Sequence, residues 1–214
     1  MTESLVKEAV KQVEKDQMDN PVLFVLGKNW STGIIGLISG KIKDKYSKPC
    51  LVMAENNGEI TGSGRSIEGF SLIGALQQLP ELFQKFGGHP MACGFTLNNA
   101  DLINTFKAEL TRIFKEQTAG LDLHPTLLID AEIDLDKIDW ELYDILEKFQ
   151  PFGQSNEKPK YLASNLTIAG LDPVGRDKKH LRIMVKHNSH KIKKTICWDL
   201  SMKITAIARI GAKC

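Results

Sequence analysis

Apolar positions along the chain follow two periods, and the switches between them mark its elements. In residues 3–17, Val6, Ala9, Val10 and Val13 recur at helical spacing among Lys and Glu, which predicts an amphipathic helix. Asn20-Pro21 ends it, and residues 22–26 form a short, β-branched apolar run suited to a buried strand. Ile34, Ile35, Leu37, Ile38 and Ile42 then predict a helix over 33–46, although it contains Gly33, Gly36 and Gly40. Each glycine costs about 1 kcal/mol relative to alanine in a helix interior, so each needs a reason. Close packing on a sheet is one; approach of the helix N-terminus to a phosphate is the functional alternative. Residues 51–54 and 59–65 read as a hairpin around Asn56-Asn57-Gly58, bringing Ser63 and Arg65 to a strand end. Residues 69–86 predict two short helices divided at Pro80, and 89–97 a strand. Asn98 or Asn99 caps a further helix whose apolar face is Leu102, Ile103, Phe106, Leu110, Ile113 and Phe114.

Composition and period both change after residue 118. Residues 119–125 read as a linker, and Leu127, Ile129, Ala131, Ile133 and Leu135 then alternate with Asp130, Glu132 and Asp134, predicting a half-buried strand with an acidic outer face. A helix using Ile138, Leu142, Leu146 and Phe149 leads to a Pro151-Phe152-Gly153 turn, then to strands at 161–168, 181–186 and 192–198. The predicted class is α/β: a connecting helix (1–20), a mixed-sheet domain (21–118) and a β-rich small barrel (119–214). Its readable strands fall short of the usual five.

The formal charge of the 214 residues is only +2, so affinity for a polyanion must come from where charges lie. Nine acids face one lysine between Asp122 and Glu147, whereas eight Lys/Arg face two acids between Asp172 and Lys194. In the second block Leu181, Ile183 and Val185 are expected inward, with Arg182 and Lys186 outward, joined by Lys191 and Lys193. Such a face is either a solvated strand surface or a track for a single strand. Cys50, Cys93, Cys197 and Cys214 form no Cys-x-x-Cys pair and read as reduced thiols. No stretch is long and apolar enough to span a bilayer, so a cytoplasmic, membrane-free location is expected.

Candidate chemistry concentrates in residues 62–94. Ser63 and Arg65 place a hydroxyl and a guanidinium fork among glycines, a combination that suits a phosphate. Gly87-Gly88-His89 similarly bares main chain beside an imidazole. Turns, bulges and a structural histidine are the alternative explanation. The familiar phosphate loops are absent: no Walker glycine loop occurs, Gly62-x-Gly64 lacks a third glycine, and Ser63 lacks a nucleophile elbow. None of His89, His124, His180, His187 and His190 adjoins another histidine, and no metal-ligand set is readable.

The segments GSGRSIEGFSLIGAL, FGGHPMACGFTL and PFGQSNEKPKY, in that order, resemble the DHH-associated and OB-fold regions of RecJ-type single-stranded-DNA-specific exonucleases. Ser31, Cys93 and Ser155 depart from the family pattern, where histidine, alanine and glycine are usual. The resemblance implies that Ser63 and Arg65 bind phosphate near a 5′ end, and that Gly87, Gly88 and His89 contact the strand, with His89 a possible assistant in catalysis. It also implies that Arg182, Lys186 and Lys193 line the single-stranded DNA. Manganese or magnesium belongs to an upstream DHH phosphoesterase domain, the expected partner, and no cofactor is expected on this chain. Its activity would be stepwise 5′ to 3′ hydrolysis in DNA repair and recombination, and these residues alone are expected to be inactive. A short-oligonucleotide or nucleotide phosphoesterase of the same superfamily, and a noncatalytic nucleic-acid-binding module, are the alternatives.

Overall fold

A computed structural model describes residues 2–153, 155–187 and 191–198. His190 and Cys214 lie outside them. The chain divides into two compact units, Met1–Pro125 and Thr126–Cys214.

The first unit is built on a five-stranded sheet in the order β1-β2-β3-β5-β4, from Leu23–Lys28, Cys50–Asn56, Glu59–Arg65, Phe83–His89 (β4) and Ala92–Leu97 (β5). β1 and β2 are parallel because α2 (Thr32–Tyr46) crosses between them; the remaining pairs are antiparallel. The β2–β3 turn has Asn57 and Gly58 at φ 52° and 81°, the left-handed pair that a two-residue hairpin favours.

Two apolar layers cover this sheet unequally. On one face, Phe24, Leu51, Met53, Ile60, Cys93, Phe95 and Leu97 pack with α3 (Leu72–Leu76) and α4 (Ile103–Gln117), whose Phe106, Leu110, Ile113 and Phe114 are buried. On the other face, α1 (Thr2–Asp16) and α2 bury Ala9, Val13, Ile35, Ile38 and Ile42 against Leu23, Val25, Cys50, Val52 and Ala54. This second cluster contains no residue of β3, β4 or β5. The helical cover therefore stops at β2, with α2 leaning onto β3, and half of that face is left without an apolar layer.

The edge at β1 is closed by side chains. The Gln12 amide donates to the Leu26 carbonyl (3.0 Å) and accepts from the Leu26 N–H (3.2 Å); Gln17 does the same with Phe24 (2.7 and 2.9 Å). Two glutamines thus act as the missing neighbouring strand, satisfying edge groups that would otherwise offer a pairing template.

Three sequence expectations are corrected. Only the first helix expected in 69–86 forms; Pro80–Leu82 is a single 3-10 turn and Phe83–His89 is β4. Phe83 and Phe86 misled the helical reading, because they serve one face of a bulged strand. Gly87-Gly88-His89 accordingly lies within a strand instead of preceding one, and the hairpin turns at Pro90-Met91. In the second unit the strand expected at 127–135 shrinks to Ala131–Glu132 (β6), with Leu127 and Leu128 exposed. Alternation was present there, but β7 (Tyr161–Leu162) offers only two residues to pair with.

The rest of the second unit contains α5 (Trp140–Glu147), N-capped by the Asp139 side chain, and an antiparallel sheet in the order β10-β9-β8. These strands are Thr167–Val174 (β8), His180–Lys186 (β9) and Ile192–Cys197 (β10). β8 runs through Gly170 and Pro173, a pair that reads as a break in the sequence; as an edge strand it tolerates the proline. The turn at Pro151 is held by Asn156, whose side chain donates to the carbonyls of Phe149 (2.7 Å) and Pro151 (3.0 Å). Among the described residues no closed barrel forms, and no helix is long and apolar enough to cross a membrane.

Candidate nucleic-acid interface

Side chains alternate along β3, so Ile60, Gly62 and Gly64 face the α3–α4 layer while Thr61, Ser63 and Arg65 face the other way. The glycines on the packed face are there for space. A Cβ at Gly62 would stand 2.1 Å from the Phe95 ring, and one at Gly64 would stand 2.8 Å from Cys93 Sγ.

The register brings the two polar clusters into adjacent rows. Ser63 pairs with Gly94, which pairs with Gly87; Arg65 pairs with Ala92, which pairs with His89. The uncovered face is therefore a strip carrying Ser63 and Arg65 along one side and His89 along the other, with Gly94, Gly87 and Ala92 between. Gly88 belongs to the opposite face: its φ is 143°, and a Cβ there would stand 2.3 Å from the Ala92 carbonyl oxygen. Packing explains Gly88 but not the glycines of the strip. A Cβ at Gly87 would meet nothing within 4 Å, and one at Gly94 only the Gly62 carbonyl at 3.9 Å. These two positions keep backbone open to solvent where side chains would fit.

Arg65 is held in place. Its Nη1 donates to the Gly64 carbonyl (2.9 Å) and to Ser63 Oγ (3.2 Å), and the Ser63 hydroxyl donates to the Cys93 carbonyl (3.3 Å). Among the described residues Arg65 forms no ion pair, so its charge is uncompensated and its remaining donors can meet an anion. Gly36 of α2 borders the pair: a Cβ there would stand 3.1 Å from Arg65 Nη2 and 3.2 Å from Ser63 Oγ. Beneath them Cys93 is buried, and burial, outweighing the Gly64 hydrogen bond and the nearby Arg65 charge, pushes its thiol up to about 11. It is a packing group and not a nucleophile at neutral pH. Ser31 occupies the N-cap position of α2, exposed and making no side-chain cap hydrogen bond.

The basic track expected in the second unit divides. Arg182 and Lys186 share one face of β9, but Lys193 pairs with Val185 and so falls on the opposite face with Leu181 and Ile183. There its Nζ donates to the Ile138 carbonyl (2.9 Å). Lys194, opposite Met184, takes its place beside Arg182 and Lys186. Counting outward from the inner residues of β10, instead of matching charges, would have found it. Gly94 was likewise missed, the ACG of the second motif being its only signal, whereas Gly36 was among the helix glycines that needed a reason.

Among the described residues no group of three or more His, Cys, Asp or Glu could hold a metal ion. The strip itself offers a hydroxyl, a guanidinium and an imidazole, donors suited to an anion and not to a hard cation.

Residues 19–116 match the DHHA1 domain, and residues 129–212 match the RecJ OB domain. The chain is thus a DHHA1 domain followed by an OB domain. In this arrangement it is similar to a portion of the RecJ exonucleases. It is 28% identical over 194 residues to the single-stranded-DNA-specific exonuclease RecJ of Bacillus subtilis, a match covering 90% of this chain and 25% of that protein. With RecJ of Escherichia coli it is 28% identical over 162 residues, 73% of this chain and 27% of that protein. RecJ of Thermus thermophilus in complex with Mn2+ superposes with a TM-score of 0.71 at 18% identity, covering 92% of this chain and 28% of that one; its Mg2+ complex gives 0.70 at 19%, covering 92% and 29%. The chain therefore spans about a quarter of the length of these relatives.

Proposed function

We propose that these residues are the substrate-holding portion of a RecJ-like single-stranded-DNA exonuclease. One observation carries the reading: backbone kept bare at Gly87 and Gly94, where packing asks for no glycine, beside a fixed and unpaired guanidinium. A sugar–phosphate backbone can lie on such a strip at close range. A phosphate would accept charge-assisted hydrogen bonds from Arg65, with the Ser63 hydroxyl and the exposed His89 as further contacts. The terminal 5′ phosphate is the group proposed for Arg65, which would set the end from which a strand is degraded 5′ to 3′.

Hydrolysis itself would belong to a DHH phosphoesterase domain that uses manganese or magnesium. Among the described residues no group of three or more His, Cys, Asp or Glu could supply ligands for such an ion. Alone, the chain is expected to leave single-stranded DNA intact. Service in DNA repair and recombination, in the cytoplasm, is part of this proposal.

The test is competition binding of 5′-phosphorylated against 5′-hydroxyl single strands. Hydrogen bonds to charged groups contribute about 1.5–3 kcal/mol, so Arg65→Ala should weaken the phosphorylated strand by roughly 10- to 100-fold and the hydroxyl strand much less. Equal losses for the two ends would assign Arg65 to general backbone contact and remove the 5′-end reading.

A further inference from the structure

Only one side of α5 holds it to its unit. Leu142 and Leu146 are half-buried there, and no residue of the helix is fully buried. Trp140, Tyr143, Asp144 and Glu147 stand at i, i+3, i+4 and i+7, so they share the opposite face. Trp140 is 79% exposed and Tyr143 46%. Their rings meet edge to face, with centroids 5.6 Å apart and planes at 81°, an arrangement that steadies the indole and leaves its π face open. A single exposed aromatic is ordinary, but two in contact on a solvent face are not explained by packing. The charge around them is of one sign: residues 139–147 contain Asp139, Glu141, Asp144 and Glu147 and no Lys or Arg. Asp139 caps the helix, and Glu147 accepts from the neutral Gln150 amide (2.6 Å). Among the described residues none of the four carboxylates is in a salt bridge, and no Lys or Arg lies over either ring.

We propose that this face of α5 is a docking site for an arginine-bearing segment of a partner protein. A guanidinium would stack on the Trp140 indole as a cation–π pair while its N–H groups donate to Asp144 and Glu147. Charge selects the occupant. Four carboxylates would repel the phosphates of a nucleic acid, and an aromatic helix face that enters a lipid interface is bordered by Lys and Arg instead. Two copies joined through this face alone would set carboxylates against carboxylates. Tryptophan, tyrosine and arginine are also the side chains on which protein interfaces concentrate their binding energy. The inference is independent of the strand-binding reading, since α5 supplies none of the residues given to the strand.

The experiment uses the full chain with Trp198→Phe, which removes the other exposed indole and leaves the buried Trp30 as a constant background. It is titrated with a peptide alternating arginine and leucine, and with the same peptide carrying citrulline, a neutral isostere, in place of arginine. The arginine peptide should quench the Trp140 fluorescence, and the citrulline peptide should bind at least about tenfold more weakly. Followed by anisotropy of a labelled peptide, Trp140→Ala should weaken the arginine peptide roughly five- to thirtyfold, and Trp140→Tyr should restore most of the loss. Asp144→Asn/Glu147→Gln should weaken it and flatten its salt dependence, whereas Asp172→Asn, a carboxylate of β8, should change neither. Circular dichroism should report the parental fold throughout, since none of these side chains is buried. Equal binding of the two peptides, or parental affinity in Trp140→Ala, overturns the assignment. An equal loss in Asp172→Asn reduces the effect to general charge attraction and overturns it too. Self-association that Trp140→Ala abolishes would give the face to a second copy, which also overturns it.

Discussion

Gly36 and Gly40 lie one helical turn apart in α2, and alanine at each should separate stability from binding. Relieving an interior helix glycine stabilises by about 1 kcal/mol. For a unit of the size of Met1–Pro125 that corresponds to roughly 4 °C in Tm, since unfolding entropy runs near 2 cal/mol/K per residue. At Gly40 a Cβ meets nothing within 4 Å, so Gly40→Ala should deliver the full increment and leave single-strand affinity untouched. At Gly36 the new methyl would stand 3.1 Å from Arg65 Nη2 and 3.2 Å from Ser63 Oγ, so both must retreat by a few tenths of an ångström. The guanidinium is flexible enough to move, and the fold should keep part of the helix gain. The aim of its donors would suffer, and loss of about 1 kcal/mol of a charge-assisted hydrogen bond is roughly a fivefold weaker complex. Thermal melts followed by circular dichroism, with fluorescence-anisotropy titration of a 5′-phosphorylated strand at low salt, measure both quantities. A Gly36→Ala protein that is more stable and binds as tightly as the parent would refute the claim that Ser63 and Arg65 hold the ligand.

Other regions give equally definite expectations. Gln12→Leu and Gln17→Leu each strip two hydrogen bonds from the β1 edge, and should cost about 1–3 kcal/mol apiece in urea unfolding; joined in one protein they should also promote association through the bared edge, detectable by sizing. Unchanged stability and size would show that water replaces the amides freely. Burial raises the thiols of Cys50 to about 12 and Cys93 to about 11 from an ordinary value of 9.0. Both favour the protonated form in the folded state, so their contribution to stability is whole below pH 9 and falls as pH rises through 11 and 12. Native protein at pH 8 should accordingly leave both unlabelled by iodoacetamide, and rapid labelling of either would contradict their burial.

How much of this was readable in advance depended on whether local pattern and tertiary demand agreed. The helices α1, α2 and α4 were legible because a stripe such as Phe106, Leu110 and Ile113 has one period and one use. The β2–β3 hairpin was legible because Asn57-Gly58 specifies its turn chemically. β4 was not, since Phe83 and Phe86 mimic helical spacing and a bulge between Phe83 and Lys85 breaks the strand alternation. Composition pointed to Ser63, Arg65 and the Gly87-Gly88-His89 cluster, but only register tells Gly87, on the open strip, from Gly88, which lies on the packed face. The same limit misplaced Lys193: charge is visible in a sequence, whereas the face it occupies depends on which residue it pairs with.

The central claim is that the bare backbone of Gly87 and Gly94 is kept for a ligand. Neither glycine has a φ in the left-handed region, and neither would crowd a neighbour with a Cβ, so Gly87→Ala/Gly94→Ala should fold with an unchanged or raised Tm. Titrated with a 5′-phosphorylated single strand, this protein should bind at least about tenfold more weakly than the parent, because two methyl groups would hold the strand off Arg65 and remove hydrogen bonds of about 1.5–3 kcal/mol. A folded double variant with parental affinity would contradict the account and return the two glycines to chance.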